Sequence, residues 1–193
     1  MGPVGVLALQ GGVREHIEML RRIGAEVREV RLPGDLEGLS GLILPGGEST
    51  ALIRLLGIWG MIGPLRDLAG SGMPVWGTCA GAILLSAEVA ERDHEVDQPS
   101  LGLARVRAVR NAFGRQVHSF QQDLDISGLD GPFPGVFIRA PLLEPLSPRV
   151  EVLCRVDEGP VLLRDGRIWL SSFHPELTAD DRLHRMFLES RDD

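Results

Sequence analysis

The sequence predicts an α/β fold in three layers, a mostly parallel central sheet with helices on both faces and an antiparallel extension of that sheet. In the first 90 residues, short apolar runs alternate with amphipathic stretches of helical period, the pattern of successive β-α units. In the second half, strand-like runs follow one another with only Gly, Pro and Asp turns between them, so those strands fold back antiparallel. The chain of 193 residues is enough for one compact domain that buries roughly 70% of its unfolded surface, and no shift in composition marks a boundary within 1–193.

The elements follow in order. VGVLAL at 4–9 is a buried-strand run, followed by QGG and a helix-periodic stretch over 13–23. AEVREVRL at 25–32 alternates as a strand does, and GLILPGG at 41–47 is a third strand running into a glycine turn. One helix is expected from about Ser49 to Gly57 and another to about Ala69. PVWG at 74–77 is the fourth apolar run, and AILLSAEVA at 82–90 reads as a helix. LARVRAV, GVFIRAP, VEVLCRV, PVLLRDG and RIWLSSF are the strands expected to extend the sheet, before a last helix from about Ala179 to Glu189. ERDHEVDQPS at 91–100 reads as a mobile surface loop.

Composition excludes several chemistries. There are 20 basic and 27 acidic residues, a net charge of −7, which argues against binding to phosphate backbones. All 20 basic residues are arginine, so Walker-type phosphate loops, Schiff-base lysines and Cys-Glu-Lys amidases are ruled out. Tyrosine is absent as well, which leaves His, Cys, Asp and Glu to carry protons. The two cysteines cannot complete a Cys-rich zinc site and the five histidines show no HExxH spacing, so neither metal nor cofactor is expected. MGPVGVLALQGG has no basic leader region, no apolar run approaches the ~18 residues that span a bilayer, and a cytoplasmic protein is expected.

Three segments point to chemistry. Gly77-Thr78-Cys79-Ala80-Gly81, between an apolar strand and an apolar helix, has the small-x-nucleophile-x-small form of a nucleophile elbow with Cys79 in the nucleophile position. A helix N-terminus favours a thiolate over its free pKa of ~8.5; the competing reading is a buried structural cysteine. Phe173-His174-Pro175-Glu176 supplies a base: in an extended segment His174 and Glu176 share one side, so the carboxylate can hold the ring toward the thiol. Alone it could be a strand-end turn; beside the elbow it completes a Cys-His-Glu triad. Pro45-Gly46-Gly47-Glu48-Ser49-Thr50 is a second strand end entering a helix, with Glu48 or Ser49 as its cap. It can lend the Gly47 N–H to an oxyanion whose other donor is the Ala80 N–H. The peptide joining Gly46 and Gly47 can also rotate at little steric cost. Cys154, in the alternating run VEVLCRV, reads as a core residue.

Together these segments resemble the class I glutamine amidotransferases, whose flavodoxin-like glutaminase domain carries its triad in the order Cys79, His174, Glu176. GVLALQGGVREH at 5–16, LILPGGEST at 42–50, GTCAG at 77–81, RNAFGRQ at 110–116, GVFIRAP at 135–141 and SFHPELT at 172–178 are similar to the glutaminase subunits of pyridoxal 5′-phosphate synthase. The resemblance implies hydrolysis of L-glutamine to glutamate and ammonia, and delivery of the ammonia to a separate synthase subunit in a large hetero-oligomer. It implies that Gly47, Glu48 and Ser49 hold glutamine on one side, with Arg110 and the Ile138-Arg139 pair on the other. A guanidinium there would meet the substrate's α-carboxylate. The loop 91–100 is longer and more acidic than the family pattern, and Thr50-Ala51 stands where Thr-Thr is usual. Two other classes compete: a peptidase or deglycase of the same superfamily, which would draw an acidic neighbour for its cysteine from an early loop, and a non-catalytic binding subunit.

Overall fold

The computed structural model describes residues 2–91, 94–95, 98–110 and 119–191. In chain order the elements are β1 (Val4–Leu7), α1 (Val13–Arg22), β2 (Val27–Val30), β3 (Gly41–Leu44), α2 (Ser49–Ile58), α3 (Ile62–Gly70), β4 (Val75–Thr78) and α4 (Ala80–Leu85). They continue with β5 (Ser86–Glu91), β6 (His94–Glu95), β7 (Ala104–Arg110), β8 (Ser119–Leu124), β9 (Phe133–Ile138) and β10 (Leu142–Pro145). The last are β11 (Glu151–Val156), β12 (Gly159–Asp165), β13 (Ile168–Ser171) and α5 (Arg182–Glu189).

A seven-stranded sheet in the order β11-β12-β13-β4-β3-β1-β2 forms the middle layer. β2, β1, β3, β4 and β13 run parallel, and β12 and β11 close one edge antiparallel. Successive side chains of a strand point to opposite faces, and the apolar residues divide accordingly. Leu42, Leu44 and Val75 meet α2, α3 and α4 through Leu52, Leu56, Leu65 and Leu84. Ile43 and Trp76 face the other way, onto Ile17 and Leu20 of α1 and Leu183 and Phe187 of α5. The chain leaves β1 toward β2 at one edge and then crosses to β3 on the far side of β1. The loops after β1 and β3 therefore flank a switch point at the C-terminal edge of the parallel strands, where open α/β sheets place their ligands.

Two expectations are corrected. The helix expected over 82–90 stops at Leu85: Ser86 turns extended (ψ 144°), its hydroxyl donates back to the Ala82 carbonyl at 2.8 Å, and Ser86–Glu91 becomes β5, parallel to β7. The segments at 103–109 and 135–141 do not extend the central sheet. β7 belongs to a separate four-stranded sheet, β10-β7-β5-β6, and β9 pairs with β8. The cause is visible in their patterning. β3, β4 and β13 are buried at every position, whereas β7 alternates buried and exposed over most of its length, as a sheet covered on one face must. The four-stranded sheet is pinned to β12 by Asp165, which accepts the Arg105 backbone N–H at 2.8 Å and pairs with the Arg105 guanidinium.

β8 and β10 are strands that the sequence did not suggest; β8 (SFQQDL) is mostly polar and exposed. Of the loop at 91–100, Glu91 ends β5, residues 94–95 pair back onto 90–91, and Gln98 is buried. Residues 92–93 and 96–97 lie outside the described residues, as do 111–116 of the RNAFGRQ motif. Among the described residues no helix is long and apolar enough to cross a membrane.

Candidate active site

The elbow at Cys79 is built from close backbone approaches. A Cβ on Gly77 would run into the backbone of Gly81 and Ala82, and one on Gly81 would overlap the Leu44 carbonyl, so only glycines let β4, α4 and β3 pack this tightly. Between them Cys79 has φ 48° and ψ −105°, held by its N–H donating to the Ser171 carbonyl at 2.8 Å. L-residues avoid such a conformation, which stores on the order of 1–3 kcal/mol and recurs at functional sites. Among the described residues, the other non-glycine residue with positive φ is Arg139, at 47°, and it lines the same cleft.

That cleft has a volume of about 650 Å³, within the range of small-molecule sites. All ten residues singled out in the sequence line it: Gly47, Glu48, Ser49, Cys79, Ala80, Arg110, Ile138, Arg139, His174 and Glu176. The Cys79 thiol lies 3.7 Å from the Ile138 carbonyl, and the His174 ring shares its end of the cleft: a Cβ on Gly46 would meet both the ring and the Cys79 Cβ. His174 Nδ1 is 2.8 Å from Glu176 Oε1, which leaves Nε2 for the cysteine. The pair is made across a 3-10 turn over Pro175–Leu177, not along an extended strand. Proline fixes the φ that opens this turn.

Electrostatics follow from burial and partners. Burial works against a charge on His174, but the neighbouring Cys79 and the Glu176 carboxylate that accepts from its ring outweigh it and raise the imidazole to about 10. Burial also opposes ionisation of Glu176, yet the His16 and His174 rings hold its carboxyl below the ordinary range. Cys154 is buried in the core, and burial pushes its thiol up to about 11. His16 and His184 are fully buried, which lowers both below 6.5, His184 strongly. Stability from these two is present above about 6.5 and falls as acid protonates the unfolded chain below that pH. The contribution of His174 is fully present below about 6.5 and is lost toward about 10. Thermal melts are therefore expected to be highest near pH 6.5 and to drop on both sides. A melting temperature that climbs steadily from pH 5 to pH 9 would contradict this assignment.

The loop after β3 sits over the elbow. The Gly46 N–H donates to Thr78 Oγ1 at 3.0 Å, and the Gly46 carbonyl accepts from the Gly12 N–H at 3.1 Å. The carboxylate of Glu48 caps α2, accepting from the N–H groups of Thr50 at 3.0 Å and Ala51 at 2.8 Å. Three residues enter that sequence reasoning passed over. Gln10 accepts the Glu48 N–H at 3.1 Å. Gln98 gathers three donors on Oε1: Arg110 Nη1 at 2.7 Å, Ser49 Oγ at 3.2 Å and Thr50 Oγ1 at 3.4 Å. His16 contacts Thr78 and Glu176 from α1. The position of Gln10 directly after a parallel strand was a usable signal; Gln98 and His16 had none.

Fold and cleft together define an α/β enzyme with a cysteine, a histidine and a carboxylate in line at the switch point of a parallel sheet. The SNO glutamine amidotransferase family matches residues 6–192, and the chain belongs to that family. It is 56% identical over 186 residues to the pyridoxal 5′-phosphate synthase subunit PdxT of Deinococcus radiodurans, covering 96% of this chain and 95% of that one. The subunit of the same name from Thermus thermophilus is 53% identical over 189 residues, with 97% of each chain covered. A crystal structure of a glutamine amidotransferase superposes with a TM-score of 0.92 at 51% identity, covering 100% of both chains.

Proposed function

We propose that this chain hydrolyses L-glutamine to L-glutamate and ammonia and delivers the ammonia to a separate synthase subunit that makes pyridoxal 5′-phosphate. The observation that carries the reading is the His174 ring, held by Glu176 through Nδ1 and set with Cys79 against the Gly46-Gly47 loop in one cleft. The Cys79 thiolate attacks the side-chain amide carbon of glutamine, and the resulting oxyanion takes the backbone N–H groups of Ala80 and Gly47. The His174 imidazolium gives its proton to the leaving nitrogen, so ammonia departs and a γ-glutamyl thioester remains on Cys79. Water then attacks the thioester while His174 takes its proton; glutamate leaves and the thiolate returns. Glu176 keeps the ring oriented and balances its charge throughout.

On this reading Arg110 receives the α-carboxylate, with Ser49 beside it and Gln98 holding both. A charge-assisted contact of that kind contributes roughly 1.5–3 kcal/mol, so Arg110→Ala should raise KM for glutamine about 10- to 100-fold while lowering kcat less. An unchanged glutamine dependence would remove Arg110 from recognition.

The partner reading has its own test. The names of the similar subunits point to a synthase complex, and the bond from the Gly12 N–H to the Gly46 carbonyl offers a catch that docking could release. Glutamate release per active site should rise when the isolated chain is mixed with an equimolar amount of its synthase. Equal rates would sink the gating idea, and no co-elution on gel filtration would sink the partnership.

A further inference from the structure

Beneath the candidate triad lies a buried polar cluster that the proposed reaction does not use. His16 of α1 and His184 of α5 are both 0% exposed, and His16 Nδ1 lies 3.0 Å from His184 Nε2. His16 Nε2 lies 3.2 Å from Thr78 Oγ1 and 3.4 Å from Glu176 Oε2. Glu176 Oε2 and His184 Nδ1 are fully buried, and neither has another hydrogen-bond partner among the described residues. Thr78 Oγ1 is the atom that accepts the Gly46 N–H. A single imidazole thus touches the outer oxygen of Glu176 and the hydroxyl that anchors the Gly46 loop.

The proton positions follow by elimination. If His16 carried its proton on Nδ1, it would donate to His184 Nε2, and His184 would have to carry its own proton on Nδ1, a buried donor with no acceptor. The bare Nε2 of His16 would then present a lone pair to a carboxylate. With the proton on Nε2, His16 donates toward Glu176 Oε2 and Thr78 Oγ1, His184 donates from Nε2 to His16 Nδ1, and only a bare ring nitrogen is left without a partner. The second arrangement strands no donor and gives the buried carboxylate a second N–H.

We propose that His16 is a positioning residue for the reaction: its Nε2–H holds the outer oxygen of Glu176 and, through Thr78, the Gly46 loop, with His184 fixing which nitrogen carries the proton. The inference rests on the proposed glutaminase reading for its catalytic meaning, but its geometry stands apart from it. The charged and titratable groups acting on the cluster are Glu176 and His174 from the 3-10 turn and its cap, Glu15 on α1, Arg22 at the end of α1, and Cys79 beyond His174. Without His16, Glu176 becomes harder to ionise, the His174 ring holds its proton less firmly, and the thiolate-imidazolium pair forms only at higher pH.

The test uses the full-length chain carrying Cys154→Ala, and compares His16→Leu, which removes the donor, with His16→Gln, whose amide places an N–H near the Nε2 position. Two profiles against pH are recorded: kcat/KM for glutamine with the synthase present, and the rate of Cys79 alkylation by iodoacetamide. In His16→Leu the acid limb of both should move up by about one pH unit, kcat should fall more than KM rises, and His16→Gln should restore most of the shift. A folded His16→Leu variant with the parental acid limb overturns the proposal, as does a His16→Gln variant displaced as far as His16→Leu. If no variant hydrolyses glutamine, including the parent, the glutaminase reading fails while the alkylation profiles still decide His16. Should His16→Leu not fold, two-bond proton-nitrogen spectra of the histidine-labelled parent decide it. A neutral ring protonated on Nε2 from about pH 7 to about pH 8 is expected, and a proton on Nδ1 overturns the proposal.

Discussion

Cys79→Ala should lower glutamine hydrolysis by on the order of 10⁴-fold or more and leave the fold intact, because removing the proposed nucleophile removes the covalent path altogether. The substitution deletes one buried sulfur and leaves the elbow glycines in place, so melting should change by no more than a few degrees. Cys154→Ala is the internal control. Its thiol lies in the core on β11, raised to about 11 by burial, so it should lose about 1 kcal/mol of stability and no activity. A thiol-reactive glutamine analogue should label Cys79 and spare Cys154. His174→Asn should approach the Cys79 variant. Glu176→Gln should be milder, since an amide can still orient the ring but no longer balances the imidazolium. Turnover of the Cys79 variant at the parental rate would remove the residue from the mechanism and leave a binding subunit as the better account.

Much of this site was readable because each part sits where a strand meets a helix. A parallel strand buried on both faces leaves an unbroken apolar run, and whatever follows it lies at the ligand edge of the sheet; this is why the segments after β3, β4 and β13 stood out. The pairing of His174 with Glu176 was legible from their spacing, although the turn that makes it is 3-10 and not extended. What escaped is of two kinds. β5 was hidden because AILLSAEVA satisfies a helical period, and only the pairing of β5 with β7, distant in sequence, ends the helix at Leu85. Gln98 and His16 were hidden because their partners are far along the chain: Gln98 reaches Ser49 and His16 reaches His184. A buried histidine on the apolar face of an amphipathic helix reads locally as core, and only tertiary contact reveals the carboxylate beside it.

The second large effect is expected at Gly46. Gly46→Ala should lower kcat by on the order of 10³-fold while the protein still folds, and it should do so through position, not chemistry. A Cβ at Gly46 would overlap His174 Cε1 and lie 3.3 Å from the Cys79 Cβ, so the methyl would wedge between the proposed base and nucleophile. The loop cannot simply retreat. Its N–H is tied to Thr78 Oγ1 at 3.0 Å and its carbonyl to the Gly12 N–H at 3.1 Å, so backing away breaks a hydrogen bond on each side, the one to Thr78 fully buried. The ring moves instead. A displacement of about 1 Å between reacting groups already costs on the order of 10²-fold, and a shifted loop also loses the proposed oxyanion donor at the Gly47 N–H, a similar penalty. The two losses share one cause and will not add fully, which sets the expectation near 10³. Alkylation of Cys79 separates the contributions. If the wedge parts His174 from the thiol, the acid limb of the alkylation profile should move to higher pH, and loss of the oxyanion donor alone would leave that limb in place. A folded Gly46→Ala variant with kcat within a few-fold of the parent would show that the Gly46 loop yields freely and plays no part in aligning the site.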